Sequence, residues 1–152
     1  MKDTTEVENA WAAGLLEGEG SFFTKTNGHT PIVSCQMTDL DVLDSLHSLF
    51  GGNLRSYDKR ESHHKQSWTW SISGDKAINL LEKILPYMHQ RRTEKIHTII
   101  ETWNSRKKAL AAQLLNAQQA GAAYDAKEGT LREIGERFGV SRQTVKDYSM
   151  AR

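Results

Sequence analysis

A single cysteine, Cys35, in 152 residues excludes an internal disulfide and any thiolate metal centre built within one chain. No apolar run approaches the roughly 20 residues that span a bilayer. The N-terminus, Met1-Lys2-Asp3-Thr4-Thr5-Glu6, is polar and acidic, so no signal peptide is visible. Net charge is nearly absent: 20 Lys and Arg against 19 Asp and Glu leave +1. With 38% hydrophobic and 26% charged residues, the composition is that of a soluble globular protein, one compact domain or a small domain with an appendage.

The small net charge hides an uneven distribution. Residues 1–85 carry 8 basic and 12 acidic side chains, and residues 86–152 carry 12 and 7. Either this is ordinary fluctuation, or positive charge is placed locally to meet phosphates, whose neutralisation supplies most non-specific affinity for nucleic acid.

Apolar residues at helical spacing (Val7, Ala10, Trp11, Gly14, Leu15) predict a helix over 5–18, stopped by Gly18 and Gly20. Two strands follow, about 21–26 and 31–38. In the second, Val33, Cys35 and Met37 alternate with Ser34, Gln36 and Thr38, giving one buried and one wet face. Asn27-Gly28 is a hairpin turn signal. A second helix covers about 39–50, with Asp39 or Asp41 as its cap and Gly51-Gly52 as its end. A second hairpin has strands at about 53–58 and 66–73, with Trp68, Trp70 and Ile72 against Ser67, Thr69, Ser71 and Ser73. Gly74-Asp75 opens a third helix, which Pro86 bends or breaks. Another helix spans about 91–105, and the Ala/Gln-rich stretch 106–128 reads as a connecting helix that frays near Gly121 and Gly129. The unit helix–strand–strand occurs twice, so the class is α+β: an antiparallel sheet with helices on one face and the other face open.

Residues 12–20 read Ala12-Ala13-Gly14-Leu15-Leu16-Glu17-Gly18-Glu19-Gly20. Ala10, Ala13, Gly14 and Gly18 put small residues at spacings of three and four, so another helix can approach closely. Glu17 and Glu19 lie at the negative end of the helix dipole, which disfavours a carboxylate by about 0.3–1 kcal/mol, so something positive should compensate. Glycines flanking Glu19 leave it open to a bulky anionic substrate. A hard divalent cation fits these features, because Mg²⁺ uses one or two carboxylates and completes its shell with water and phosphate oxygens. Two paired helix ends would bring two such carboxylates together, as metal-assisted phosphodiester hydrolysis requires. The simpler reading is a pair of solvated acids after an ordinary helix.

The string resembles the motif that names the LAGLIDADG homing endonucleases. Ala13, Gly14, Leu15 and Gly20 match it; Leu16 stands for isoleucine, Gly18 for alanine, Glu17 and Glu19 for two aspartates, and Ala12 where leucine is usual. Ser21-Phe22-Phe23 is similar to the family's first strand, and the likeness extends over about residues 5–105. The resemblance implies an αββαββα fold whose sheet forms a saddle over DNA. It implies that Glu19 binds metal, with Gly18 beside it, and that Glu17 orients the helix end. The metal would be Mg²⁺, with Mn²⁺ or Ca²⁺ able to substitute in binding. One motif copy implies a homodimer on near-palindromic DNA, joined through Ala10, Ala13, Gly14 and Glu17. Arg91 falls where the family has a catalytic lysine; an arginine steadies phosphate charge but stays protonated, so an acid–base role there is in doubt. Asp39 is a candidate for ordering water, against the competing role of helix N-cap.

On the strands, alternation assigns Lys25, Asn27, Ser34, Gln36 and Thr38, then Arg55, Tyr57, Lys59, Ser67 and Thr69, to the open, DNA-facing side. Arg55 and Gln36 are the best base readers, since Arg pairs with guanine and Gln with adenine. Residues 131–148 are similar to a helix-turn-helix. Ile134, Phe138, Val140 and Val145 form its small core, Gly135 permits close contact, Gly139 makes the turn and Ser141 caps the second helix. Arg142, Gln143 and Lys146 then face the major groove. The expected domains are an endonuclease domain at 1–105, a helical linker at 106–128 and a helix-turn-helix at 129–152.

These readings together imply a cytoplasmic, DNA-associated, metal-dependent homing endonuclease. The alternative is a non-cleaving transcriptional regulator of the same two parts, which would have lost the acid that Glu19 retains. An RNA-splicing role has no specific support. The ends, Met1 and Ala151-Arg152, lack intein splicing residues, so a free-standing protein is expected.

Overall fold

In the computed structural model, residues 3–25, 29–57 and 65–150 are described, excluding the Tyr57 side chain. Helix α1 (Glu6–Glu19) starts at Thr5. The Thr5 hydroxyl accepts the Glu8 N–H at 3.3 Å and the Glu8 carboxylate accepts the Thr5 N–H at 2.7 Å, a reciprocal capping box. The helix ends at Gly20, whose N–H bonds the Leu16 carbonyl. A Cβ at Gly20 would strike that carbonyl oxygen and lie 2.9 Å from the Leu16 Cα. Only glycine therefore lets strand β1 (Gly20–Thr24) leave the helix end directly.

Strands β2 (Pro31–Met37), β3 (Asn53–Tyr57) and β4 (Ser67–Ser73) complete one sheet of order β1-β2-β4-β3, antiparallel throughout. Phe22, Val33, Cys35, Trp70 and Ile72 project from one face into the core. They meet Ala12, Ala13 and Leu16 of α1, Leu43, Leu46 and Phe50 of α2 (Leu40–Phe50), and Ala77, Leu80, Leu81 and Ile84 of α3 (Asp75–Ile84). Trp70 is wholly buried and its indole N–H donates to the Gly51 carbonyl at 2.8 Å, so the burial leaves no orphan donor. Pro86 lies in a short 3-10 helix, Leu85–Tyr87, that separates α3 from α4 (Gln90–Asp125).

The helix expected at about 91–105 and the connecting helix expected at 106–128 are one element, with no fraying at Gly121. Helix α4 runs unbroken from Gln90 to Asp125, through Gly121. The chain divides into two compact units, 1–103 and 104–152, so the expected linker belongs with the C-terminal unit. There the end of α4 contributes Ala120 and Ala123 to a core with Ile134 of α5 (Leu131–Phe138) and Val145 of α6 (Arg142–Tyr148). A capping box between Thr130 and Glu133 starts α5. Gly139, at φ +65°, turns the chain, and Ser141 starts α6 by accepting the Thr144 N–H at 3.0 Å. No helix among the described residues is long and apolar enough to cross a membrane.

Gly121 does not fray the helix because it is where the Tyr148 carbonyl packs against it; a Cβ there would collide with that oxygen. Helix propensity favours Gly121→Ala by about 1 kcal/mol, whereas overpacking against backbone costs about 1–3 kcal/mol. The clash is severe and involves a carbonyl that cannot rotate away, so the expected net loss is about 1–2 kcal/mol, measurable by urea denaturation followed by circular dichroism. A stabilised variant would show that the α6 end is free to move off.

Candidate metal centre and nucleic-acid interface

The two acids at the end of α1 have different surroundings. Glu17 is half-buried and engaged: its carboxylate accepts the His89 N–H at 3.2 Å, and its carbonyl accepts Nη2 of Arg92 at 2.8 Å. The Arg92 side chain is only 14% exposed; its guanidinium lies 5.1 Å from the Phe22 ring centroid and brings Nε to 4.0 Å from the Glu17 carboxylate. That last contact is an ion pair and not a hydrogen bond, since Nε is buried with no hydrogen-bond partner. Arg92 thus supplies the positive charge demanded by the negative helix end, and satisfies one of its last-turn carbonyls. From sequence alone that compensation points to a metal and passes over Arg92; the second arginine of Arg91-Arg92 is the signal that could have found it.

Glu19, the last residue of α1, is exposed, and its carboxylate has no hydrogen bond or ion pair among the described residues. Its field reaches Cys35. Burial first, and the Glu19 charge second, push the Cys35 thiol up to about 11; Cys35 pairs with Gly20 across β1 and β2. No group of three or more His, Cys, Asp or Glu gathers among the described residues. At this helix end one chain therefore offers, among the described residues, one unpartnered carboxylate, that of Glu19, with the last-turn carbonyl of Gly18 beside it.

Arg91 is exposed, at the start of α4. Asp39 occupies the N-cap position of α2, but its side chain makes no capping bond, so the expected cap role is positional only. The small-residue stripe needs one correction. Ala13 is wholly buried in its own core beside Ala12 and Leu16, and cannot meet another subunit. The exposed stripe runs instead through Val7, Ala10, Gly14 and Gly18, and open space surrounds a Cβ built at either glycine.

The open face of the sheet is ordered in rungs by its register. Phe23, Ile32 and Ser73 form one; Ser21, Ser34, Ser71 and Asn53 the next; Gln36, Thr69 and Arg55 the third. A groove of about 460 Å³ on this face is lined by ten residues, among them Lys25, Arg55 and Ser34, and none of the ten is acidic. Thr38 is exposed just past the end of β2, and Thr69 stays on the open face although its hydroxyl is shielded and has no hydrogen-bond partner. Ser67 accepts a long bond, 3.4 Å, from the Gln36 amide. Asn27, Lys59 and the Tyr57 side chain lie outside the described residues. In the C-terminal unit Arg142, Gln143 and Lys146 are all exposed on α6, with Gln143 bonded to Asp147 at 2.7 Å.

An α+β unit with one helix-covered and one open sheet face belongs to a recognisable class, and solved structures share it. No family model matches the sequence, and no curated protein matches it. The homing endonuclease I-CvuI in complex with its target in the presence of Ca superposes with a TM-score of 0.53 at 14% identity, over 93% of this chain and 92% of that one. The archaeal intron-encoded homing endonuclease I-Vdi141I complexed with DNA gives 0.52 at 15% identity, over 94% and 97%. The fold is that of the LAGLIDADG homing endonucleases.

The Arg92 contacts predict a contrast between neighbours. A hydrogen bond from a charged donor contributes about 1.5–3 kcal/mol, so Arg92→Gln should lower the stability of the N-terminal unit by about 2 kcal/mol. Arg91→Gln should stay within about 0.5 kcal/mol of the parent, as exposed substitutions do. Equal denaturation midpoints for the two variants would remove Arg92 from the helix end.

Proposed function

We propose that this chain is a site-specific DNA endonuclease acting as a homodimer, with Glu19 of each subunit holding divalent cations at the scissile phosphodiester. The observation that carries the reading is the free, exposed Glu19 carboxylate two residues from a fully engaged Glu17. One carboxylate and a helix-end carbonyl are a poor site for a metal alone. They fit a hard cation such as Mg²⁺ once a second subunit adds its own pair and DNA adds phosphate oxygens. Bound there, such a cation supplies Lewis acidity and lowers the pKa of its water.

The chain's own residues take distinct parts. The exposed stripe of Ala10, Gly14 and Gly18 supports close approach of a second α1, bringing the two Glu19 side chains together. The Arg91 guanidinium steadies charge on the phosphate. Asp39, with its side chain free of capping duty, orders water. Lys25, Ser34, Gln36, Arg55, Ser67 and Thr69 line or flank the open sheet face that takes the duplex. Arg142, Gln143 and Lys146 extend the footprint from the C-terminal unit. The fold's neighbours were solved with DNA targets, with Ca or Mg present in two cases, which supports this reading. A non-cleaving regulator is favoured by the exposed basic face of α6, but it gives no reason for an unpartnered Glu19.

With Mg²⁺, the protein should cut duplex DNA carrying its uninterrupted target. Glu19→Gln should bind that DNA as the parent does and cut it more than about 100-fold slower, beyond the 10- to 100-fold typical of losing an outer-sphere partner. Undiminished cutting by this variant would sink the metal assignment. Arg142→Gln and Lys146→Gln should each weaken binding and lower the salt-dependence slope by about 1 for each phosphate no longer neutralised. Titrations across salt concentrations check this, and unchanged slopes would take α6 off the DNA.

A further inference from the structure

The open sheet face is polar except at one rung. Phe23, 43% exposed, stands opposite half-buried Ile32. Every other residue that the register puts on the described part of this face is Ser, Thr, Asn, Gln or Arg, Tyr57 aside. Both apolar side chains line the 460 Å³ groove with Lys25 and Arg55. Two cations and no carboxylate make this a surface for an anionic partner, and the apolar pair is part of its lining.

We propose that Phe23 and Ile32 read the C5-methyl group of a thymine in the major groove, fixing one base position in each half of the DNA site. The inference rests on the open sheet face being the DNA-binding surface. The major groove admits a two-stranded β-ribbon, and the thymine methyl is the one apolar group on its base edges. Hydroxyl-bearing strand residues can meet any base directly or through water, so the serine rung between discriminates little. The apolar rung rejects the polar edges of the other bases by leaving them without partners.

The register also places this position. Ile32 and Gln36 share the face four residues apart along β2. At about 3.3 Å per residue that is roughly 13 Å, or about four base steps of 3.4 Å when the strand follows the groove. Gly20, next to Glu19, pairs with Cys35, beside Gln36, whereas Ile32 lies toward the hairpin end. The thymine therefore sits farther from the cut than the base met by Gln36, by about four pairs.

The test selects bound duplexes from a randomised DNA pool with the full chain in Ca²⁺. A symmetric thymine column is expected, lost with Ile32→Ser or Phe23→Ser and retained with Gln36→Ser, which should instead relax a position about four pairs inward. Replacing that thymine with deoxyuridine, which lacks only the methyl, should weaken binding of the unaltered protein about fourfold per half-site. The same replacement should make no difference to Ile32→Ser. A selected site with no such thymine, or equal binding of thymine and uracil duplexes by the unaltered protein, overturns the inference alone. Selection of no sequence at all overturns the DNA-binding reading beneath it. If the pair serves only hairpin stability, its serine variants lower the denaturation midpoint and leave the selected sequence unchanged, which also overturns it.

Discussion

One guanidinium decides which of two neighbouring carboxylates is free. α1 ends with two acids where the peptide dipoles are least hospitable to negative charge. Arg92 answers this by bonding the Glu17 carbonyl, pairing with the Glu17 carboxylate and covering Phe22 of β1. The His89 backbone N–H takes a Glu17 oxygen. These few residues, distant in sequence, fix the helix-to-strand corner, and Glu19 sits inside that corner with no partner of its own. Had Glu17 and Glu19 shared the arginine, neither would be open to a cation. Because the clamp comes from the start of α4, it also sets Arg91, one residue away, relative to the same corner.

The second constraint is the sheet's division into two faces. Covering one face with three helices forces alternate residues of every strand inward, and Trp70 and Phe22 anchor that side at full burial. The remaining residues are then presented in register, and their order on the open face follows from strand pairing alone. That is why a polar alternation in sequence becomes a surface with a readable arrangement: apolar, hydroxyl, then amide and guanidinium.

Strong periodicity was legible in the sequence. Val33, Cys35 and Met37 against Ser34 and Gln36 specify the β2 faces, and Leu43, Leu46 and Phe50 mark the inner side of α2, because large apolar side chains carry the signal. Small residues carry almost none. Ala13 and Gly14 are adjacent and equally compatible with core or surface, so nothing local told that Ala13 packs inward while Gly14 faces out. The unbroken α4 was hidden for a similar reason. Its Ala- and Gln-rich length lacks a continuous stripe, and Gly121 reads as a point of fraying until the Tyr148 carbonyl packed against it is in place. The Arg92 clamp joins residues 75 positions apart, a distance over which spacing says nothing. Glu19's priority over Glu17 as the proposed ligand came from the family resemblance; what the structure adds is that Glu17 is engaged by the clamp.

The glycines separate by what surrounds them. Gly20, Gly121 and Gly135 each sit where a Cβ would meet backbone of the same chain, at 2.9 Å from the Leu16 Cα in the first case and 2.8 Å from the Val140 carbonyl in the last. Gly14 and Gly18 meet nothing, yet each costs an exposed helix about 1 kcal/mol relative to alanine. Val7, 79% exposed, and Trp11, 39% exposed, lie on the same side of α1. A helix that keeps two costly glycines and two large apolar side chains on its bare face is poorly made for water. The same face suits a second helix, whose backbone can come close only where side chains are missing. The demands of α1 as a helix and of Glu19 as the proposed metal ligand would therefore both be met by one event, the approach of the second copy proposed above.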